Sequence, residues 1–192
     1  MHIMKRRILY SLLMTATLGL SSCESFLSEN PKDQITEEQA YQNSTLLYLN
    51  TVASLYTQVG ANGGGAGLQG TDRGLYDLNT FTTDEAMLPT RGGDWYDGGQ
   101  YRELHMHAWT ANTSAVKNAW SRSTEAISAC NLIYETISTS ALEESAKARA
   151  LAEIRGVRAF WIYYLMDNWG NVPLSIDYND TELPTCKTRK EV

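Results

Sequence analysis

Seven residues, Arg91-Gly92-Gly93-Asp94-Trp95-Tyr96-Asp97, set two aromatic rings among charged side chains and a glycine pair. Sugars present apolar ring faces and outward hydroxyls. An indole or phenol ring stacks on the first, and Arg and Asp bond to the second. Glycine lets the backbone approach a ligand closely. Arg91, Asp94, Trp95 and Tyr96 are therefore the candidate ligand-binding residues. The competing view is that the two rings only pin an irregular loop to its neighbours.

Other residues suggest chemistry more weakly. Glu103, His105 and His107 alternate, so a strand would place all three on one face, where they could hold a metal. No further cluster supplies a fourth ligand, and a solvated strand face, or histidines packed on aromatic neighbours, is the expectation. Asp84, Glu85, Asp94 and Asp97 offer carboxylates. Glycoside hydrolysis needs two of them about 5–10 Å apart, whereas loop aspartates beside glycine more often make turns. No catalytic residue is assigned, and the chain is expected not to be an enzyme. Gly65-Ala66-Gly67-Leu68-Gln69-Gly70 fits G-x-G-x-x-G, but a helix precedes it and an irregular stretch follows. Nucleotide binding needs the reverse context, so no cofactor is expected.

Long helices must position these residues. Thr36-Glu37-Glu38-Gln39 matches a capping box, and Tyr41, Tyr48, Val52, Leu55, Tyr56 and Val59 follow at helical spacing up to Gly60. This predicts a helix over 37–59. Seven glycines make 60–74 a loop, and the turn signals at Pro89, Gly92-Gly93 and Gly98-Gly99 make 75–112 irregular, with any strands short. Val116, Trp120, Ile127, Cys130, Tyr134 and Ile137 form one helical stripe, predicting a helix over 114–137. A second helix is expected over 141–168, and the short connector makes the two an antiparallel hairpin. Trp109, Trp120, Trp161 and Trp169 are expected in the core. Arg155 and Arg158 are expected to bond carboxylates or helix ends. Cys130 reads as an inert core residue, and a disulfide with Cys186 stays open. Thr188 looks like an N-cap, with Arg189–Val192 as a first helical turn. An isolated turn is far below the ~12 residues that give even marginal helix stability, so the chain is expected to be truncated relative to its architecture.

The 192 residues carry a formal charge of −6 and are 43% hydrophobic. This composition argues against a disordered tail or a multi-pass membrane protein, and the acidic balance argues against a nucleic-acid partner. Three cysteines are too few for a disulfide scaffold. Lys5-Arg6-Arg7 followed by the apolar run Ile8–Leu20 reads as a signal peptide over 1–22. Leu20-Ser21-Ser22-Cys23 resembles a bacterial lipobox, in which the Cys is acylated and becomes the N-terminus. Cys23 would then anchor the protein at a membrane, and 23–35, with Phe26, Leu27, Pro31 and Ile35, would be a tether and packed arm.

The lipobox and arm, together with Glu153-Ile154-Arg155-Gly156-Val157-Arg158-Ala159, Leu165 and Trp169-Gly170-Asn171-Val172-Pro173-Leu174, resemble the SusD/RagB family of outer-membrane nutrient-uptake lipoproteins. The family pattern is E-x-R-x-x-R-A, a Leu, and aromatic-G-x-V-P-L; Asn131 also falls where the family commonly has Asn. Gly156 departs from it, standing where a larger apolar residue is usual. The resemblance implies an all-α, SusD-like fold of tetratricopeptide-like helix pairs with irregular loops, truncated here, with 36–192 as the N-terminal part of the domain. It implies a cell-surface protein that captures an oligosaccharide or other nutrient for a SusC-like TonB-dependent transporter. That protein would be lipid-anchored in the outer membrane and face outward. The alternatives are a structural or adhesion lipoprotein that binds a protein partner, and a surface glycoside hydrolase.

Overall fold

A computed structural model describes residues 43–60 and 74–192. Cys23, the arm, the Thr36–Gln39 capping box and the motif at 65–70 lie outside the described residues. The fold is mostly helical, as the all-α expectation has it.

Within the described residues, the helix expected over 37–59 is two helices. The first, α1 (Ser44–Asn50), is capped by Asn43, whose side-chain oxygen accepts from Thr45 N at 2.9 Å and Leu46 N at 3.4 Å. The second, α2 (Val52–Gly60), follows a break at Thr51, which has φ −114° and ψ −83°. Thr51 donates both its amide and its hydroxyl to the Leu47 carbonyl. Such side-chain-to-backbone bonds compete with the helical ladder, and periodicity does not register them. Val52 and Leu55 enter the core, whereas Tyr48 and Tyr56 lie exposed and donate to the Glu153 carboxylate at 3.0 and 2.6 Å. That bond is the main cause holding the Tyr56 hydroxyl up at a pKa of about 12.

The irregular stretch also contains helices. Helix α3 (Leu75–Phe81) buries Leu75 and Leu78, and α4 (Gln100–His105) buries Tyr101 and Leu104. Seven and six residues are too few for helices that stand alone; α3 packs on α5, and α4 packs on α3. Between them lies the short strand β1 (Gly92–Trp95).

The framework is α5 (Ser114–Thr139) against α6 (Glu144–Trp169), each 26 residues or about 39 Å long. A four-residue connection between helices that contact along their length makes them an antiparallel hairpin. Glu143 caps α6, its carboxylate accepting from Ser145 N at 3.0 Å, so the helix starts at 144 rather than 141. The expected stripe contributes Ile127, Cys130 and Ile137 to the core, but Val116, Trp120 and Tyr134 only border it. The deepest positions on α5 include Ala115, Ala119 and Ala126, where small side chains let the helices approach. Helix α6 answers with Ala150, Ile154, Val157, Trp161 and Leu165.

After α6, Gly170 turns the chain at φ +78°, and β2 (Val172–Pro173) pairs antiparallel with β3 (Cys186–Lys187). The intervening residues run along the side of the hairpin, where Asn131 and Arg158 bond Ser175 O and Ile176 O. Thr188 and Glu191 close a one-turn cap, the Glu191 carboxylate accepting from Thr188 N and Oγ1 at 2.8 Å each.

Candidate ligand-binding site

The glycines of Arg91–Asp97 do what the sequence suggests. Arg91 and Asp94 exchange backbone hydrogen bonds of 3.1 and 2.9 Å across Gly92 and Gly93, whose φ values are +61° and +110°. Only glycine takes such a turn without strain. Two residues without that freedom are also left-handed: Trp95 at φ +59° and Asp97 at φ +47°. Such backbone costs about 1–3 kcal/mol per residue and persists only where the surroundings hold it.

Here the surroundings are identifiable. The Trp95 ring meets Tyr101 edge-on at 6.4 Å, and Tyr101 meets Phe81 edge-on at 5.3 Å. Tyr101 is buried and donates to Asp77 of α3 at 3.2 Å. Asp97 accepts from Gln100 Nε2 at 2.8 Å, tying the loop to the start of α4. On this base Trp95 and Tyr96 remain 54% and 59% exposed. Neither the Arg91 guanidinium nor the Asp94 carboxylate makes a hydrogen bond among the described residues; both are exposed. The loop thus brings all four candidate residues onto one exposed segment. Trp95 rests one edge on the fold and leaves much of its ring in solvent.

The alternating Glu103, His105 and His107 do not share a face, because the backbone there is helix α4 and its exit rather than a strand. Glu103 accepts from Thr113 Oγ1 at 3.2 Å, while His107, at φ +54°, bonds Thr82 O at 2.7 Å and packs on Trp109 at 5.1 Å. Among the described residues no group of three or more His, Cys, Asp or Glu could hold a metal.

Of the four tryptophans expected in the core, Trp161 is fully buried, and Trp120 and Trp169 pack edge-to-face at 5.2 Å beside the core. Trp109 is 40% exposed, a departure traceable to its place on an irregular segment between α4 and α5. Arg158 differs too. It is buried, yet among the described residues it bonds no carboxylate or helix end: Nη1 donates to Asn131 Oδ1 and Ile176 O at 2.9 Å each, and the guanidinium lies 5.1 Å from the Tyr134 ring centre. Asn131 in turn donates to Ser175 O at 3.0 Å. Arg158 and Asn131 together hold the 175–176 backbone against the hairpin. Cys130 and Cys186 are both free; burial pushes the Cys130 thiol up to about 11, which suits an unreactive core residue.

Sequence reasoning missed a cleft of about 360 Å³ between α5 and the 173–184 segment, bordered by Thr124, Ser128, Asn131, Asp177 and Tyr178. Its one signal was the polar run after Pro173. No described helix is long and apolar enough to cross a membrane.

No protein-family model matches the chain. No solved structure matches it. A curated SusD-like protein of Bacteroides ovatus is 25% identical over 92% of this chain, and the chain spans 30% of that protein's length. The chain is thus similar to one SusD-like protein over nearly its full length, in line with the resemblance carried by Glu153–Leu174.

Proposed function

We propose that the chain serves in a cell-surface lipoprotein that captures a glycan, or a nutrient of similar chemistry, for a SusC-like TonB-dependent outer-membrane transporter. It binds and does not transform its substrate. Cys23 carries the lipid that holds it in the outer membrane, facing outward, with 23–35 as the tether.

The observation that carries this reading is the exposure of Trp95 and Tyr96 on a loop whose backbone is left-handed at Trp95 and Asp97 and tied to Tyr101 and Gln100. A pre-set loop loses little freedom on binding, so stacking on a sugar face is not spent on ordering the site. Trp95 and Tyr96 supply the rings, and Asp94 and Arg91 supply acceptor and donor for ring hydroxyls. The similarity to a SusD-like protein supports the nutrient-uptake setting.

Electrophoresis through gels cast with a panel of polysaccharides tests this. The chain is expected to be retarded by at least one polysaccharide, and Trp95→Ala to migrate as in a plain gel while keeping the wild-type melting temperature. Equal retardation of both proteins would sink the assignment of the loop.

A further inference from the structure

A second cleft, away from the 91–97 segment, is lined by Asn79 and Thr82 at the end of α3, by Asp167, Asn168 and Trp169 at the end of α6, and by Trp109. Its volume is about 260 Å³. Sites for drug-sized ligands run from roughly 300 to 1,000 Å³, so this one suits a single small ring.

Asn79, Thr82 and Asn168 each turn a side-chain donor into the fold. Asn79 spends its amide hydrogens on Leu75 O, at 2.8 Å, and on the Tyr164 hydroxyl. Asn168 donates to Tyr164 O at 2.9 Å, and Thr82 Oγ1 donates to Leu78 O at 2.7 Å. The Asp167 carboxylate is exposed and makes no hydrogen bond or ion pair among the described residues. The Asn79 and Thr82 donors are consumed inside the fold, which leaves two amide oxygens, a hydroxyl lone pair and a carboxylate as acceptors, with the indole N–H groups of Trp109 and Trp169 as donors beside them. Two indoles, with Leu78 and Val116, complete the lining. Trp169 is braced edge-on by Trp120, and Trp109 is braced by His107, itself fixed to Thr82 O.

A ligand matched to this lining carries several donors, at least one acceptor and an apolar face. We propose that the Trp109–Asp167–Trp169 cleft is a saccharide site for one pyranose ring, separate from the Arg91–Tyr96 loop. The ring's C–H face lies on an indole, and its hydroxyls donate to Asp167, Asn79 and Asn168. An organic cation would satisfy the carboxylate and the indoles, but it would leave the amide oxygens without donors; several vicinal hydroxyls satisfy all of them.

Fluorine NMR of the full chain carrying 5-fluorotryptophan tests the site, because each of the five tryptophans reports separately. The probes are methyl glucopyranoside, methyl galactopyranoside, methyl mannopyranoside and methyl xylopyranoside, with choline chloride as the cation. At least one pyranoside is expected to shift the Trp109 and Trp169 resonances saturably, in the wild type and equally in Trp95→Ala. Asp167→Asn and, separately, Asn79→Ala are each expected to weaken that response by about threefold or more. A Trp109 response without a Trp95 response supports this cleft while counting against the loop. Silence of Trp109 and Trp169 across the pyranosides, or a response to choline alone, overturns the proposal whatever Trp95 does.

Discussion

Trp161→Ala should lower the unfolding free energy by about 3–5 kcal/mol, the range for removing a buried aromatic side chain. Trp161 is 1% exposed at the centre of α6, with Phe160 and Tyr164 edge-on at 5.7 and 6.3 Å. The helices around the resulting cavity are long and joined by a short connector, so they cannot collapse into it without shifting register. Total stability is typically about 5–15 kcal/mol, so this loss is a large share. For a chain of this size it corresponds to a melting temperature lower by roughly 6–20 °C. Trp161→Phe should behave differently. The indole Nε1 is buried and has no hydrogen-bond partner among the described residues, an arrangement that costs about 1–3 kcal/mol. Phe loses some volume but removes that orphan donor, so it should stay within about 1 kcal/mol of the wild type. Denaturant unfolding of the two variants checks both values, and equal destabilisation by Phe and Ala would contradict the packing described.

Arg158→Ala should cost about 2–4 kcal/mol, and most of that loss should be local. The substitution strips the donor from two buried or half-buried acceptors, Asn131 Oδ1 and Ile176 O, and takes the guanidinium off the Tyr134 ring. Burying a guanidinium without a carboxylate beside it is itself costly, which offsets part of the gain and keeps the estimate below the upper end for buried ion pairs. Arg158→Lys should not rescue it, because one compact ammonium does not reproduce a planar donor fork set against a ring. Hydrogen exchange separates this from general loosening. Amides over 174–177 should lose protection, while those in the middle of α5 keep most of theirs. Uniform loss along α5 would mean that Arg158 supports the hairpin itself rather than the segment that lies against its side.

These effects bear on what the sequence reveals. The α5–α6 hairpin was legible because apolar residues recur at helical spacing along both 26-residue helices, as at Ile154, Val157, Trp161 and Leu165. Its innermost alanines were not, since a search for large apolar residues passes over the small ones that let helices close. The break at Thr51 was hidden because a Thr in an apolar period looks helical until its hydroxyl finds the Leu47 carbonyl. Helices α3 and α4 depend on Leu75, Leu78 and Leu104 reaching the hairpin, which is tertiary and leaves no period in so few residues. The glycines marked 91–99 as a loop, and the four candidate residues do come together there. The left-handed backbone at Trp95 and Asp97 carries no sequence signature, nor do the carbonyl partners of Arg158 and Asn131, because every residue has a carbonyl.

The central claim is that Trp95 and Tyr96 hold a sugar, and calorimetric titration tests it most directly. The titrant is an oligosaccharide fragment of whichever polysaccharide retards the wild-type chain. Aromatic contacts contribute about 0.5–1.5 kcal/mol each beyond area burial. Losing both rings in Trp95→Ala/Tyr96→Ala should therefore weaken Kd by about fivefold to a hundredfold, with the melting temperature unchanged. A double variant that binds within about twofold of the wild type would contradict the account and move the capture site off this loop.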